Sequence, residues 1–536
     1  MEENSLQSFP TRPALRLSAL LRWRPAGLSR AARAQWLTGL LLWGVFVLFL
    51  ALVQFSTPNL PDNDGYYHIK LAALMRAEGL KPAFPWLPLS ILNSREYYDR
   101  HFLFHVALIP FTFGDLREGA KWAAVLFASL AFLSAWNLLK NQRVPLAALW
   151  ALGLLAVSEA FIFRMSITRA QSLSLAVLLL GADWLLRRKL YHLGALVFVY
   201  VWLYDAFPLL GVMAVVFTGA VLLAERKLEL RPLAAVALGT ALGLLINPYF
   251  PHNIVFAVQH ILPKITETTA VSVGNEWYPY TTAQLLQNSA LALAAFVGGA
   301  LALGLSGRRA DLRTLLAFGM ACLFGLMLFQ SRRFIEYFPP FALLFAAFAA
   351  APLLEQAAAF AVQTPGARRA GWARLRLSRV GAAAWLPALA LSLVLLGGGW
   401  LTFQAAKASL GAAKPYQTYA GAAGWLAANT PAGARVFQTD WDDFPRLFYY
   451  NTHNTYLIGL DPTYLSLYDA GLYSLWERIT DGDVAQPSAA IRADFGASYV
   501  FSDLRHGAFL KRAAADPGLR EVYRDEDGVV YQVVIP

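Results

Sequence analysis

Short polar segments in an otherwise apolar chain carry the residue types that do chemistry. DNDGYYHIK (62–70) sets two carboxylates, Asp62 and Asp64, two positions apart, with Tyr66, Tyr67 and His68 behind them. Carboxylate oxygens so placed hold a divalent cation such as Mg or Mn, or orient and deprotonate an incoming nucleophile. The same acids, following Pro61, also suit a helix N-terminus. SITRAQS (166–172) contributes Arg169, and SVGNEW (272–277) contributes Glu276, which can reach a nucleophile or a metal, or pair with Lys264. QSRRFIEY (330–337) supplies Arg332 and Arg333, whose planar forks match phosphate in two places. At the end of an apolar helix such a pair meets either a phosphate-bearing ligand or lipid phosphate.

Other candidates read more plainly. Asp99, Arg100 and His101 suit an ordinary surface ion pair or a functional group, and His68 and His105 suit structural or solvated positions more than ligand positions. Glu159 and Asp205 fall at the ends of apolar runs, where an ionisable group costs little. In WDDFPRLFYY (441–450), Asp442 and Asp443, with Asp440 just before them, suit binding an acceptor or capping a helix. The Trp441 ring suits stacking on a sugar or peptide, or anchoring a core.

The elements that position these groups are membrane helices. The 536 residues are 57% hydrophobic and only 15% charged, with a mean hydropathy of +0.45. Soluble domains carry about 25% charged residues. Backbone groups inside lipid must be satisfied internally, so long apolar runs are helices. Spans are expected near 36–56, 119–139, 145–162, 171–186, 190–203, 206–224, 232–248, 288–305, 314–330, 336–353 and 383–400. At about 20 residues per span, this makes a polytopic α-helical membrane protein of roughly 11–13 helices. The segment 102–113 suits the interface or an extra span.

Charge gives these helices a sidedness. Basic clusters recur before the first span, at Lys140 and Arg143, at Arg187 to Lys189, at Arg226 to Arg231, at Arg308 to Arg313 and at Arg368 to Arg379. Such connectors stay in the cytoplasm. The formal charge of +11 therefore belongs to loops beside anionic lipid, and nucleic acid is not expected as a partner. The polar segments fall on the other connections, so they share the opposite face. Residues 1–35 form a basic cytoplasmic segment, 36–400 the transmembrane domain with long outer loops 56–118 and 247–287, and 401–536 an outer domain. Helix-like 419–429 and 484–495 alternate with β-type runs at 435–438, 498–502, 520–524 and 528–535, the pattern of a small α/β domain. The lone Cys322 leaves no disulfide framework, and the first apolar run is long enough to remain as an anchor.

Asn63-Asp64-Gly65-Tyr66 resembles the first-loop motif of the oligosaccharyltransferase catalytic-subunit family, part of the GT-C superfamily of membrane glycosyltransferases. SVGNEW is similar to the late outer-loop motif ending in glutamate, Arg333-Phe334 to the arginine that pairs with the donor phosphate, and 440–444 to the soluble-domain signature Trp-Trp-Asp-Tyr-Gly. The resemblance implies a GT-C-like fold with a C-terminal extracytoplasmic α/β domain. It implies Asp64 beside the acceptor and at a metal, with Glu276 in support, and Arg333 with Arg332 or Arg169 at the phosphate. Asp62, His68, Trp441, Asp442 and Asp443 become acceptor-side or supporting residues.

The pattern also departs from the family. The double tryptophan and glycine of the signature are lost. Gln171 and Leu173 stand where a further acidic pair is expected, and Arg169 adds positive charge there. The implied activity is transfer of a sugar or oligosaccharide from a polyprenyl phosphate or diphosphate to a protein, lipid or glycan, with inversion. A single chain with an outer domain suits a bacterial inner membrane. A lipid-linked glycan flippase would instead place ionisable groups deep in several spans. A non-catalytic assembly protein of the same fold is the remaining alternative.

Overall fold

In a computed structural model, the chain is described over residues 30–93, 95–261, 274–363 and 379–534. Most of the basic N-terminal segment, Lys264, the start of SVGNEW and the basic cluster from Arg368 to Arg376 lie outside the described residues.

Most of the chain is helical. In order come α1 (Arg30–Gln54), α2 (Asp64–Glu78), α3 (Phe102–Thr112), α4 (Leu116–Asn141), α5 (Ala147–Leu155), α6 (Glu159–Ser166) and α7 (Gln171–Leu186). Then follow α8 (Leu190–Leu203), α9 (Pro208–Glu225), α10 (Arg231–Leu245), α11 (Thr282–Ser306), α12 (Leu312–Gln330), α13 (Phe338–Gln363) and α14 (Arg379–Gly411). Among the described residues, seven helices are long and apolar enough to cross a membrane, in α1, α4, α9, α11, α12, α13 and α14. Helices α3, α7, α8 and α10 are apolar but shorter, at 10–17 residues.

The run expected as one span at 145–162 is broken. Helices α5 and α6 meet at 80°. The backbone freed at the break finds partners on other helices: Thr402 Oγ1 donates to the Ala156 carbonyl at 3.1 Å, and the Ala292 amide donates to the Val157 carbonyl at 3.1 Å. Ser158 then caps α6, its hydroxyl accepting from the Phe161 amide at 3.1 Å. Apolar surroundings tolerate a broken helix only when its freed groups are met in this way.

The bundle closes by packing rather than by expulsion of water, since lipid tails are as apolar as leucine. Phe132 lies edge-on to Phe46 at 5.5 Å and is stacked on Phe161 at 5.6 Å. A Cβ on Gly239 of α10 would collide with the Gly194 carbonyl of α8, so these helices cross in near-backbone contact. The basic connectors meet one another: Arg313 bonds the Gln142 carbonyl, Asn141 donates to Asp183 at 3.1 Å, and Arg188 pairs with Glu225 at 2.6 Å.

Helix α14 continues past residue 400 to Gly411 and leads into the C-terminal domain. There α15 (Ala420–Asn429) and α16 (Phe444–Tyr450) pack with a five-stranded sheet. Its strands are β1 (Arg435–Gln438), β2 (Thr455–Tyr456), β3 (Tyr499–Asp503), β4 (Leu519–Arg524) and β5 (Gly528–Val533), in the order β2-β1-β3-β5-β4. Strand β1 is parallel to β2 and β3, whereas β5 runs antiparallel to β3 and β4. The Pro-rich stretch of the first long connection docks on this domain. The Trp86 carbonyl accepts from the Tyr456 amide at 2.8 Å, and its indole N–H donates to the Thr452 carbonyl at 2.9 Å.

Candidate active site at the junction of bundle and α/β domain

Asp62 opens α2 by accepting from the Gly65 amide at 3.0 Å with Oδ1, which fixes its other oxygen toward Arg169. Arg169, on the turn between α6 and α7, spans three carboxylates. Its Nη2 pairs with Asp62 and lies 2.9 Å from Asp64 Oδ2, while Nη1 lies 2.9 Å from Glu276 Oε1. A second guanidinium shares the glutamate: Arg164 Nη1 is 2.7 Å from Glu276 Oε1, and Arg164 Nε is 2.7 Å from Glu336 Oε1. Glu336 has no exposed surface, and Arg164 is the cation that faces it. Acids 274 residues apart in sequence, from Asp62 to Glu336, are thus joined by two arginines.

These contacts set the charge states. Burial pushes the Asp64 carboxyl up to about 6, against the pull of Arg169, with Asp62 and Glu276 adding to the rise. Burial also works to raise Glu276, but Arg164, Arg169 and Arg333 outweigh it and hold that carboxyl below the usual range.

A divalent cation at Asp64 does not fit this donor set. The oxygens of Asp62, Asp64 and Glu276 that converge are already compensated by the Arg169 guanidinium. An ion there would lie against a fixed positive charge, and its oxygen ligands would first have to leave that charge. Gln171 and Leu173 begin α7; Gln171 is 1% exposed and adds no anion. A separate trio in the C-terminal domain, Asp440, Asp443 and Asp503, brings one oxygen each to within 4.8 Å of one another, a spacing that a metal could use. Arg505 already reaches that trio, at 3.1 Å from Asp440, and it also binds Asp503.

Arg332 and Arg333 lie on the turn between α12 and α13. Arg333 donates to the Tyr204 hydroxyl at 2.6 Å and lies over the Trp277 ring at 5.2 Å. Arg332 is tied to the Tyr278 and Pro279 carbonyls at 3.2 and 3.1 Å. Both arginines line a cleft of about 460 Å³ whose wall also includes Phe163, Arg164, Glu276 and Tyr280. Glu276 therefore belongs both to the carboxylate cluster and to the arginine-lined cleft. Glu159 is in the same wall and accepts from Ser409 at 2.6 Å. Asp205 pairs with Arg100 at 3.4 Å.

The C-terminal domain locks onto the first motif. Asn63 Nδ2 donates to Asp442 Oδ2 at 2.7 Å, and Arg446 Nε donates to Asn63 Oδ1 at 2.7 Å. Arg446 is 1% exposed, lies 4.4 Å over the Tyr66 ring and donates to the Pro415 carbonyl at 2.7 Å. Burial, then Asp64 and Asp440, push Asp442 up to about 7. Trp441 is half-buried, and one edge of its ring is 3.6 Å from where a Cβ on Gly274 would stand. Asp443 is buried against α15, near Asp440 and Asp503. Arg446→Ala is expected to cost about 3 kcal/mol, because it leaves buried acceptors unpaired and removes a cation–π contact. Limited proteolysis should then cut between α14 and α15 in the variant before the wild type, and equal resistance would refute this.

His68 is 4% exposed and joins His105, whose far nitrogen meets Asp99. His101 stacks on Tyr204 at 5.3 Å, which links this group to Arg333. The structure thus brings together Asp62, Asp64, Arg169 and Glu276, with His68 and Asp442 beside them and Arg332 and Arg333 across the cleft. Sequence reasoning passed over Arg164, Glu336, Asn63 and Arg446. An arginine inside the apolar run FIFRMS (161–166) was the available signal for Arg164.

No protein-family model matches the chain, and no curated protein matches it in sequence. Solved structures do match. The apo oligosaccharyltransferase of Archaeoglobus fulgidus superposes with a TM-score of 0.62 at 14% identity, over 92% of this chain and 74% of that one. ArnT from Cupriavidus metallidurans, bound to undecaprenyl phosphate, gives 0.54 at 16% identity, over 92% and 97%. The arabinofuranosyltransferase AftD from Mycobacteria gives 0.56 at 16%, over 95% of this chain and 42% of that one. The chain has the fold of these GT-C membrane glycosyltransferases. Other structures of the archaeal protein hold an inhibitory peptide with dolichol-phosphate, or zinc with sulfate.

Proposed function

We propose that this chain transfers a sugar or oligosaccharide from a polyprenyl phosphate or diphosphate to an acceptor on the non-cytoplasmic side of a membrane, in a bacterial inner membrane. The acceptor is a protein, lipid or glycan. The observation that carries this reading is the shared wall at Glu276: a carboxylate cluster around Asp64 and an arginine-lined cleft meet across one residue. Phosphate-bearing lipids in two structures of the same fold support a polyprenyl-phosphate ligand for this chain.

In this reading Arg333, with Arg332, faces the leaving phosphate, and Asp64 accepts a hydrogen bond from the acceptor nucleophile. The nucleophile bonds the anomeric carbon as the carbon–oxygen bond to phosphate breaks, and the phosphate leaves as the anion that Arg333 compensates. Arg169 keeps Asp64 oriented and takes no phosphate, because both of its Nη atoms face carboxylates.

Membranes holding the full chain, supplied with radiolabelled polyprenyl-phosphate and polyprenyl-diphosphate hexoses, test this. Asp64→Asn and Arg333→Ala are each expected to lower transfer by about 10²–10³-fold. Transfer should also fall as pH drops through about 6, where the raised Asp64 carboxyl takes up a proton. Undiminished transfer in both variants would end the assignment.

A further inference from the structure

A buried chain of hydrogen bonds lies beside the small cavity that Asp64 lines. His105 Nδ1 lies 2.7 Å from Asp99 Oδ2, and His105 Nε2 lies 2.7 Å from His68 Nδ1. Asp99, His105 and His68 are 3%, 0% and 4% exposed, so bulk water does not interrupt the series. Asp99 is held in place as well, since its Oδ1 accepts from the His101 amide at 3.0 Å. His68, Asp64 and Asp99 all line a small cavity of about 20 Å³, room for about one water or one hydroxyl.

Proton placement follows from the partners. A carboxylate only accepts, so His105 donates to Asp99 from Nδ1. A neutral imidazole has one N–H, so His105 Nε2 carries a lone pair and must be given a hydrogen by His68 Nδ1. That leaves His68 Nε2 bare. Burial first, then His105, Arg169 and Arg100, hold this imidazole well below its ordinary value, so it is neutral at rest.

We infer that His68 is the proton acceptor of the transfer reaction, and that His105 and Asp99 form a relay behind it that takes up the proton. This rests on the glycosyl-transfer reading above and adds a base to it. The acceptor's O–H or N–H proton goes to His68 Nε2 as the new bond to the anomeric carbon forms and the phosphate leaves. The His68 Nδ1 proton passes to His105 Nε2, and the His105 Nδ1 proton passes to Asp99. The net result is a glycosylated acceptor, a free lipid phosphate and a protonated Asp99. Once the product has left, the protons step back along the same bonds and His68 Nε2 releases its hydrogen to water entering the cavity, which restores the resting tautomers.

Two measurements test it. Nitrogen NMR of the full chain in lipid, with labelled histidine assigned by His68→Gln and His105→Gln, reads the tautomers without any substrate. His68 is expected with hydrogen on Nδ1 and none on Nε2, and His105→Gln is expected to change that pattern. A His68 signal protonated at Nε2 at neutral pH overturns the relay. In membranes supplied with radiolabelled polyprenyl-phosphate hexose, His68→Gln is expected to lower kcat by about 10²–10⁴-fold with KM little changed. His105→Gln and Asp99→Asn, as positioning changes, should act in the same direction on kcat and by less. Wild-type transfer with His68→Gln equally active refutes the base while leaving the transfer reading intact. If the wild type itself transfers nothing, the transfer reading fails, and the base assigned to it fails as well.

Discussion

Arg169→Ala is expected to abolish transfer and to make the protein's stability responsive to manganese. One guanidinium faces Asp62, Asp64 and Glu276 together. Removing the shared partner of buried charges costs about 3–5 kcal/mol, because the remaining charges are left uncompensated. The three carboxylates would then converge on a vacated space, which is the donor set a divalent ion takes. Thermal unfolding should show a lower midpoint in the variant, and added Mn²⁺ should raise it there but not in the wild type. Arg169→Lys should fall between, since an ammonium is a compact charge without the planar fork that spans several oxygens. A stable variant with full transfer would show that the clamp is idle.

Arg164→Met is expected to be almost as damaging, and for a different reason. Its Nε faces Glu336, which is wholly buried, and its Nη1 faces Glu276. Breaking this pair leaves the buried Glu336 side chain without its partner, at about 3–5 kcal/mol. Adding Glu336→Gln to Arg164→Met should return most of that stability, because the stranded carboxyl is gone. A double-mutant cycle is expected to give a coupling of about 1–3 kcal/mol. Transfer should stay low in the double variant, since Glu276 loses one of its two ion-pair partners among the described residues. Additive single effects would mean that the buried pair is not coupled.

Much of this arrangement was legible in the sequence because it rests on local patterns. Apolar runs marked the helices, and the acids and arginines of 62–70, 272–277 and 330–337 stood out against them. The strands of the C-terminal domain were likewise marked by short alternating runs, and β1 lies at Arg435–Gln438 as expected. The break at Ala156 to Ser158 was not legible. No proline or paired glycine marks it, and the groups that satisfy it come from Thr402 and Ala292 on distant helices. Arg164 was hidden for the same reason: its importance lies in which glutamates face it. Two-residue strand β2 was too short to leave a pattern. The histidine series was also invisible as a unit, because each imidazole alone has an ordinary structural explanation, and only their order from Asp99 to His68 fixes the protons.

The lock of Asn63 between Asp442 and Arg446 has a consequence for how such a chain can diversify. A new acceptor preference cannot be acquired by exchanging the tail alone, because a foreign tail must still present a carboxylate and a guanidinium to one asparagine near the opposite terminus. Hybrids that swap the two ends independently should therefore fail to mature, whereas those that exchange both partners of this latch together should survive.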